Sequence, residues 1–220
     1  MTGGAWSAVL FDLDGTLADT VELILRCFRH TFRVHRGSVP PDEAFRAGIG
    51  MPLREQLCAF TDDPEEVERM AATYAAHQRT LHDDLVAPYA GAVEVVQRFR
   101  EAGVPVGVVT SKRHGMAVRT LERCGFAGLY DVLVGADDVV QGKPHPEPVL
   151  LALDRLGVDG AAGRALMVGD SPFDLRAGRS AGTRTAGVLW GVFPRAALAS
   201  EEPDWLVNEP GELLALGPET

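Results

Sequence analysis

Seven residues of this chain could do chemistry together: Asp12 and Asp14, Thr110 and Ser111, Lys143, and Asp170 with Asp174. The first pair stands in Val9-Leu10-Phe11-Asp12-Leu13-Asp14-Gly15-Thr16, where an apolar run delivers two carboxylates into a glycine turn. Side chains alternate along a strand, so continued extension would aim Asp12 and Asp14 into one small volume. Carboxylates that close repel unless a cation or a shared proton lies between them. Gly15 gives a tight turn without a Cβ and lets a ligand approach the backbone. Thr110-Ser111 and Asp170 also follow apolar runs, over 104–110 and 165–168. Lys143 lies in Gly142-Lys143-Pro144-His145-Pro146-Glu147-Pro148, a stiff loop because alternate prolines fix φ and extend their predecessors. Asp174 comes one helical turn after Asp170 and shares its face.

Taken singly, each group has a plainer use. Asp-Gly is a common turn dipeptide, Thr110-Ser111 could cap a helix, and Lys143 could be a surface lysine. Asp170 and Asp174 could cap and charge the helix that follows them. What sets them apart is position: the carboxyl ends of strands are where α/β sheets place their ligands.

The elements that must position these groups follow from the pattern. Residues 7–11 are β-rich and apolar on both faces, as in a central parallel strand covered by helices on both sides. After Thr16 the pattern turns helical, with Asp19 and Glu22 spaced as a capping box and Gly37 and Pro40-Pro41 ending the helix. Short helices are predicted over 42–47 and 52–60. Asp62-Asp63-Pro64-Glu65-Glu66 opens a long one, carried on by Val67, Met70, Ala71, Tyr74 and Leu81. Residues 20–84 therefore read as an all-helical insertion without a strand. Helices over 91–102, 116–124 and 149–156, and one ending at 181, then alternate with strands over 104–110, 132–135, 165–168, 185–190 and 205–207. This is the pattern of a doubly wound parallel sheet. The core is expected over 1–19 and 85–220, with the helical domain over 20–84 hanging above the edge where Asp12 and Asp14 emerge. Linkers near 17–20 and 83–86 are its expected hinges.

Composition narrows the function. The 220 residues carry a net charge of −10 and no basic run, which argues against a nucleic-acid footprint. An anionic substrate would need a metal or a few placed cations. Cys27, Cys58 and Cys124 are odd in number and form no Cys-x-x-Cys, so they read as buried thiols in a reducing cytosol. No targeting signal and no apolar run of membrane-spanning length is found, so a cytoplasmic location is expected. Residues 217–220 are expected to fray. His145, between prolines, reads as a loop residue more readily than as an acid or ligand. His30, His35, His77, His82 and His114 show no ligand spacing.

Asp12-Leu13-Asp14-Gly15-Thr16 after an apolar strand, then Thr110-Ser111, Lys143 and Asp170 to Asp174, resemble the four motifs of the haloacid dehalogenase (HAD) superfamily in order. The resemblance spans essentially the whole chain, and the insertion is placed like that family's helical cap. It implies a Rossmann-like core and phosphoryl transfer through a covalent intermediate. Asp12 would be the nucleophile and Asp14 the general acid and base. The Thr110 hydroxyl and the Ser111 N–H would hold phosphoryl oxygens, and Lys143 would steady both the nucleophile and the phosphoryl group. Mg²⁺ would be held by the Asp12 side chain, the Asp14 backbone carbonyl and Asp170, with Asp174 a ligand or a support.

The second aspartate, which a departing halide does not need, favours phosphoryl transfer over dehalogenation. Val109-Thr110-Ser111-Lys112, Asp137-Asp138-Val139 and Leu166-Met167-Val168-Gly169-Asp170 are similar to phosphoglycolate phosphatases and the related bacterial inorganic pyrophosphatases of this superfamily. The apolar spacing of 23–32, with His30, leans toward the pyrophosphatases. The expected partner is a small phosphorylated substrate, with neither nucleic acid nor membrane, on a monomer or weak homodimer. Arg54, after Gly48-Ile49-Gly50-Met51-Pro52, could bind the distal part of an anionic substrate or be a solvated helix-face arginine; Lys112 and Arg113 are similar candidates from the core. A β-phosphoglucomutase-like enzyme and a non-catalytic metabolite-binding protein are the alternatives on the same fold.

Overall fold

The computed structural model describes residues 6–218, so the end of the segment expected to fray, Glu219 and Thr220, lies outside the described residues. Strand β1 (Ala8–Phe11) is buried at every position. Its side chains part between two apolar cores, Val9 and Phe11 entering one and Ala8 and Leu10 the other. A strand covered on both faces belongs in the interior of a parallel sheet.

Beyond β1 the chain turns at Gly15 and forms the two-residue strand β2 (Ala18–Asp19). Helix α1 (Val21–Arg36) follows and stops at Gly37, whose φ of +67° makes the left-handed cap. The insertion continues with α2 (Asp42–Arg46), α3 (Leu53–Cys58) and α4 (Pro64–Leu85). Helix α4 starts as its sequence predicts, with the Asp63 side chain accepting from the Glu65 N–H at 2.9 Å. These helices close on aromatic side chains: Phe28 stacks on Phe45 with centroids 4.9 Å apart, Tyr74 meets Phe28 edge-on at 5.1 Å, and Phe32 meets Phe60 at 4.8 Å. Each buried ring stabilises the cap by about 1.5–3 kcal/mol.

At the base of the cap the structure adds one feature and corrects one expectation. The insertion is entered and left through an antiparallel ribbon, in which β3 (Ala87–Pro88) pairs with β2, Ala18 opposite Pro88 and Asp19 opposite Ala87. Two-residue strands, one containing proline, carry no alternation to detect. The capping box expected of Asp19 and Glu22 does not form, because Asp19 is held in the ribbon and Thr20 takes the N-cap position without a side-chain cap. The Thr20 hydroxyl donates instead to Asp14 Oδ1 at 2.6 Å.

The core resumes with α5 (Ala92–Glu101), β4 (Val106–Val109), α6 (His114–Arg123), β5 (Val132–Val134) and α7 (Glu147–Arg155). It ends with β6 (Ala165–Gly169), α8 (Pro172–Ser180), β7 (Arg184–Val188), α9 (Arg195–Ala199) and β8 (Trp205–Val207). The six-stranded parallel sheet has the order β5-β4-β1-β6-β7-β8, with Val9 opposite Val106 on one side and Leu166 on the other. The winding direction reverses beside β1, the kind of switch point at which ligands bind. Cys27 and Cys124 are buried, but Cys58 is exposed, because Leu57 takes the inward position of the short α3. Among the described residues, no helix is long and apolar enough to cross a membrane.

The second expected hinge is tied to the core. His82, fully buried near the end of α4, places Nε2 2.8 Å from Thr120 Oγ1 of α6 and Nδ1 2.7 Å from Asp83 Oδ1. Arg119 pairs with Asp83 at 2.7 Å, and Arg123 donates to the Asp83 carbonyl at 3.0 Å. Burial, aided by the charges of Lys112 and Arg119 and opposed by Asp83, lowers the His82 pKa below its ordinary value. The unfolded chain then binds this proton first as pH falls. The stability that neutral His82 contributes is complete above about pH 6.5 and is lost on going below it. Thermal melts between about pH 7.5 and 5.5 should show Tm falling in the parent, with a flatter profile in His82→Asn. Parallel profiles would assign the slope to other groups.

Candidate active site

At the end of β1 the Asp12 N–H donates to the Val168 carbonyl at 2.9 Å, prolonging the parallel ladder and fixing where its buried carboxylate lies. Lys143 reaches it from the loop before α7. This side chain is 1% exposed, and its Nζ lies 2.7 Å from Asp12 Oδ1, 2.6 Å from Asp174 Oδ1 and 3.1 Å from the Val109 carbonyl. Three ammonium protons thus have three acceptors. Burial alone would lower a lysine pKa, but the two carboxylates more than reverse it and hold Lys143 above its ordinary value.

Asp174 is gripped from its other side. Helix α8 opens with a capping box in which the Ser171 hydroxyl donates to Asp174 Oδ2 at 2.5 Å and the Ser171 N–H donates to the same oxygen at 3.1 Å. The helix-capping use and the ion pair coexist, one oxygen for each. Asp170 accepts from the Val192 N–H at 2.7 Å and from the Thr16 hydroxyl at 3.4 Å. Gly15 and Gly191 press against it: a Cβ on them would come within 2.2 and 2.3 Å of Asp170 atoms.

One oxygen each from Asp12, Asp170 and Asp174 can be chosen so that all lie within 4.8 Å of one another. Three carboxylates share a single ammonium there. Burial, with repulsion from Asp174 and Asp14, raises the Asp12 pKa to about 7 despite the Lys143 charge. Burial and the charges of Asp12 and Asp174 push Asp170 well above the carboxylate range. A cation among them would reverse both shifts.

Asp14 is near enough for its charge to act on Asp12, yet its carboxylate has partners of its own. Its Oδ1 lies 2.8 Å from Lys112 Nζ and accepts from the Thr20 hydroxyl. The expectation that Asp14 would serve a metal rests on its backbone carbonyl, and the side chain stands outside the three-carboxylate cluster. Thr110, at the end of β4, is buried, and its Oγ1 accepts from the Lys112 N–H at 3.1 Å.

The cap rests on this edge. The Ser111 hydroxyl donates to the Gly50 carbonyl at 2.6 Å. Gly50, at φ +104°, fits closely against α8, since a Cβ there would lie 2.8 Å from Ser171 Oγ and 3.2 Å from the Phe173 ring. Pro52 packs on Gly142, the residue before Lys143. Arg54 is engaged elsewhere, 2.5 and 2.8 Å from the Glu68 carboxylate oxygens of α4, and more than half exposed. Arg113 is exposed beside Asp137 at 3.2 Å. His145 Nδ1 accepts from the Glu147 N–H, a loop role. The pairing of Lys112 with Asp14 was missed from sequence, where Lys112 reads only as a substrate ligand.

Residues 9–188 match the family described as haloacid dehalogenase-like hydrolase. The chain belongs to that family. It is 38% identical to pyrophosphatase PpaX of Bacillus velezensis, over 97% of each chain. It is also 38% identical to pyrophosphatase PpaX of Anoxybacillus flavithermus, over 96% of each. A hydrolase from Pseudomonas syringae shares the fold with a TM-score of 0.86 at 24% identity, over 95% of this chain and 96% of that one.

HAD hydrolases generally use a divalent metal, and the site suits one. Its carboxylate oxygens are hard donors, they converge in a buried volume, and their charge exceeds what Lys143 neutralises. Titrating Mg²⁺ into the protein should raise Tm, by an amount equivalent to about 2.7 kcal/mol at 100 times Kd. Asp170→Asn should remove most of the rise. No rise with Mg²⁺, Mn²⁺ or Ca²⁺ would rule out the cluster as a cation site.

Proposed function

We propose that this HAD hydrolase is a Mg²⁺-dependent phosphohydrolase acting through an aspartyl phosphate, with inorganic pyrophosphate its foremost substrate among small phosphorylated metabolites. The observation that carries the reading is the buried Lys143 ammonium joining Asp12 and Asp174 at the end of β1. A lone buried acid would neutralise itself. Here an ammonium keeps one ionisable as a nucleophile, beside acids that can hold a cation. The pyrophosphatase name borne by relatives 38% identical over nearly their full length supports the choice of substrate.

In this reading an Asp12 oxygen forms a bond to phosphorus as the bond to the leaving oxygen breaks, and that oxygen takes a proton from Asp14. The products of the step are the acyl phosphate and the protonated leaving group, which is phosphate itself when the substrate is pyrophosphate. Water then attacks the phosphorus of the acyl phosphate and gives a proton to Asp14 as the bond to Asp12 breaks, releasing phosphate and restoring the Asp12 carboxylate. Lys143 holds Asp12 toward the phosphoryl group and offsets its negative charge, while Thr110 and Ser111 supply donors to its oxygens. Bound Mg²⁺ would be held by Asp12, Asp170 and the Asp14 carbonyl, and would supply charge neutralisation on the transferring group. Asp174 supports Lys143 in this scheme. Residues 20–84 act as a cap that excludes water when the Gly50 loop seats on Ser111 and Ser171. The overall negative charge and unpaired thiols accord with a cytoplasmic enzyme taking a small substrate.

Phosphate release with Mg²⁺ from pyrophosphate, phosphoglycolate, sugar phosphates and an aryl phosphate tests the proposal. The parent should turn over pyrophosphate best, and Asp12→Asn should lose at least about 10³-fold in kcat. Preference for phosphoglycolate would overturn the substrate and keep the chemistry. Retained activity in Asp12→Asn would overturn the covalent mechanism.

A further inference from the structure

Lys112 is a buried cation, and taking its charge out of water costs free energy that its partners must offset. Its side chain is 5% exposed, and its one ion pair among the described residues is with Asp14, itself only 15% exposed. Without it Asp14 would be a short side chain beside the left-handed Gly15, held through Thr20 alone. Two donors instead converge on the same oxygen, Lys112 Nζ at 2.8 Å and Thr20 Oγ1 at 2.6 Å.

The Lys112 backbone is as firmly placed as its ammonium. Its N–H donates to Thr110 Oγ1, and its carbonyl accepts from the Ala136 N–H at 2.9 Å. Gly135 allows this approach, since a Cβ there would lie 3.0 Å from the Lys112 carbonyl oxygen and 2.7 Å from the His114 nitrogen. Asp137 and Asp138 lock both sides of the crossing by accepting from the His114 and Gly135 N–H groups, each at 2.7 Å. The neighbouring Arg113 is exposed beside Asp137. The loop after β4 thus buries one of two adjacent cations and leaves the other at the surface.

We infer that Lys112 is a positioning residue for Asp14, fixing Oδ1 so that Oδ2 is the oxygen presented to the leaving group. The inference rests on the proposed phosphohydrolase reading, in which Asp14 protonates the leaving oxygen as the phosphorus–oxygen bond breaks. It replaces the role of distal substrate ligand expected for Lys112. Thr20 adds a second hold from the cap side, and Lys112 holds from the core, so Asp14 keeps one anchor that does not depend on where the cap stands.

The test compares an alkyl phosphate, whose leaving oxygen needs a proton, with p-nitrophenyl phosphate, whose leaving group departs without one. The readout is kcat/KM, which reports steps through leaving-group departure and is blind to the later hydrolysis. Lys112→Met should lose about 10²-fold on the alkyl ester, the range of general acid catalysis, and less than about 3-fold on the aryl ester. Lys112→Arg should recover part of the loss on the alkyl ester. Equal losses on both esters, or a loss confined to KM for substrates with a second anionic group, would overturn the inference and make Lys112 structural or substrate-binding. A parent that releases phosphate from neither ester nor pyrophosphate would overturn the reading beneath it. Tm of both variants, and a crystal structure of Lys112→Met with the Asp14 carboxyl turned from its parent orientation, separate positioning from misfolding.

Discussion

The buried ammonium of Lys143 is the constraint to which much of the site is fitted. Removing a lysine and two aspartates from water costs several kcal/mol per ion even after relaxation, so such a group persists only with excellent geometry and full hydrogen bonding. The chain supplies both. Lys143 finds Asp12, Asp174 and the Val109 carbonyl; Asp174 is completed by the Ser171 capping box; and Gly169 leaves room for it, since a Cβ there would fall 2.3 Å from the Asp174 Cβ. Asp170 is crowded in the same way by Gly15 and Gly191. Glycines in this edge give up packing surface so that charged groups can approach one another. The residual negative charge is the part of the arrangement that the protein does not neutralise from within.

The broad architecture was legible because it depends on patterns that survive without partners. Apolar runs of four or five residues ending in Asp12, Thr110 and Asp170 read as interior strands, and all three residues stand at the ends of β1, β4 and β6. Asp63-Pro64 with acids behind it marked the start of α4, and Gly37 the end of α1. What sequence did not carry was the choice among equivalent partners. Thr20 could cap its helix or donate to the Asp14 carboxylate at the end of the first strand, and it does the latter. Lys112 and Arg113 are adjacent cations after one strand, yet one is buried on Asp14 and the other lies exposed at the surface. The ribbon of β2 and β3 is too short for any periodicity, and Cys58 is exposed because the one inward place on α3 goes to Leu57.

Cap and core meet through contacts of different chemical kinds, which bears on how such a site could open. At the loop end the contacts described are one hydrogen bond from Ser111 to Gly50, van der Waals contact of Gly50 with Ser171 and Phe173, and Pro52 packed on Gly142. At the other end of the cap, His82, Asp83, Arg119 and Arg123 join α4 to α6 through several hydrogen bonds, one of them fully buried. A single neutral hydrogen bond contributes about 0.5–1.5 kcal/mol net, a quantity that thermal motion and substrate can exchange. The network at α4 is harder to break as a unit. Motion should therefore concentrate at the Gly50 loop and the ribbon, with the α4–α6 junction as the pivot.

The two lysines give aspartates two residues apart unlike surroundings, as the roles proposed for them require. If Asp12 and Asp14 shared one environment, their charges would couple and neither could be assigned a separate task. The structure divides them. Asp12 faces Lys143 inside the carboxylate cluster, fully buried, where an ionised oxygen can be held toward phosphorus. Asp14, two residues on and just before the Gly15 turn, is partly open to water, with Lys112 and Thr20 on one oxygen. In the proposed reaction, water access would suit the group that passes a proton in each half of the two steps, and burial would suit the one that keeps its nucleophilic oxygen from solvent. Gly15, which follows both aspartates, turns the chain beside Asp170. Its positive φ and missing Cβ send the chain away from Asp12 while leaving Asp170 the space directly behind it.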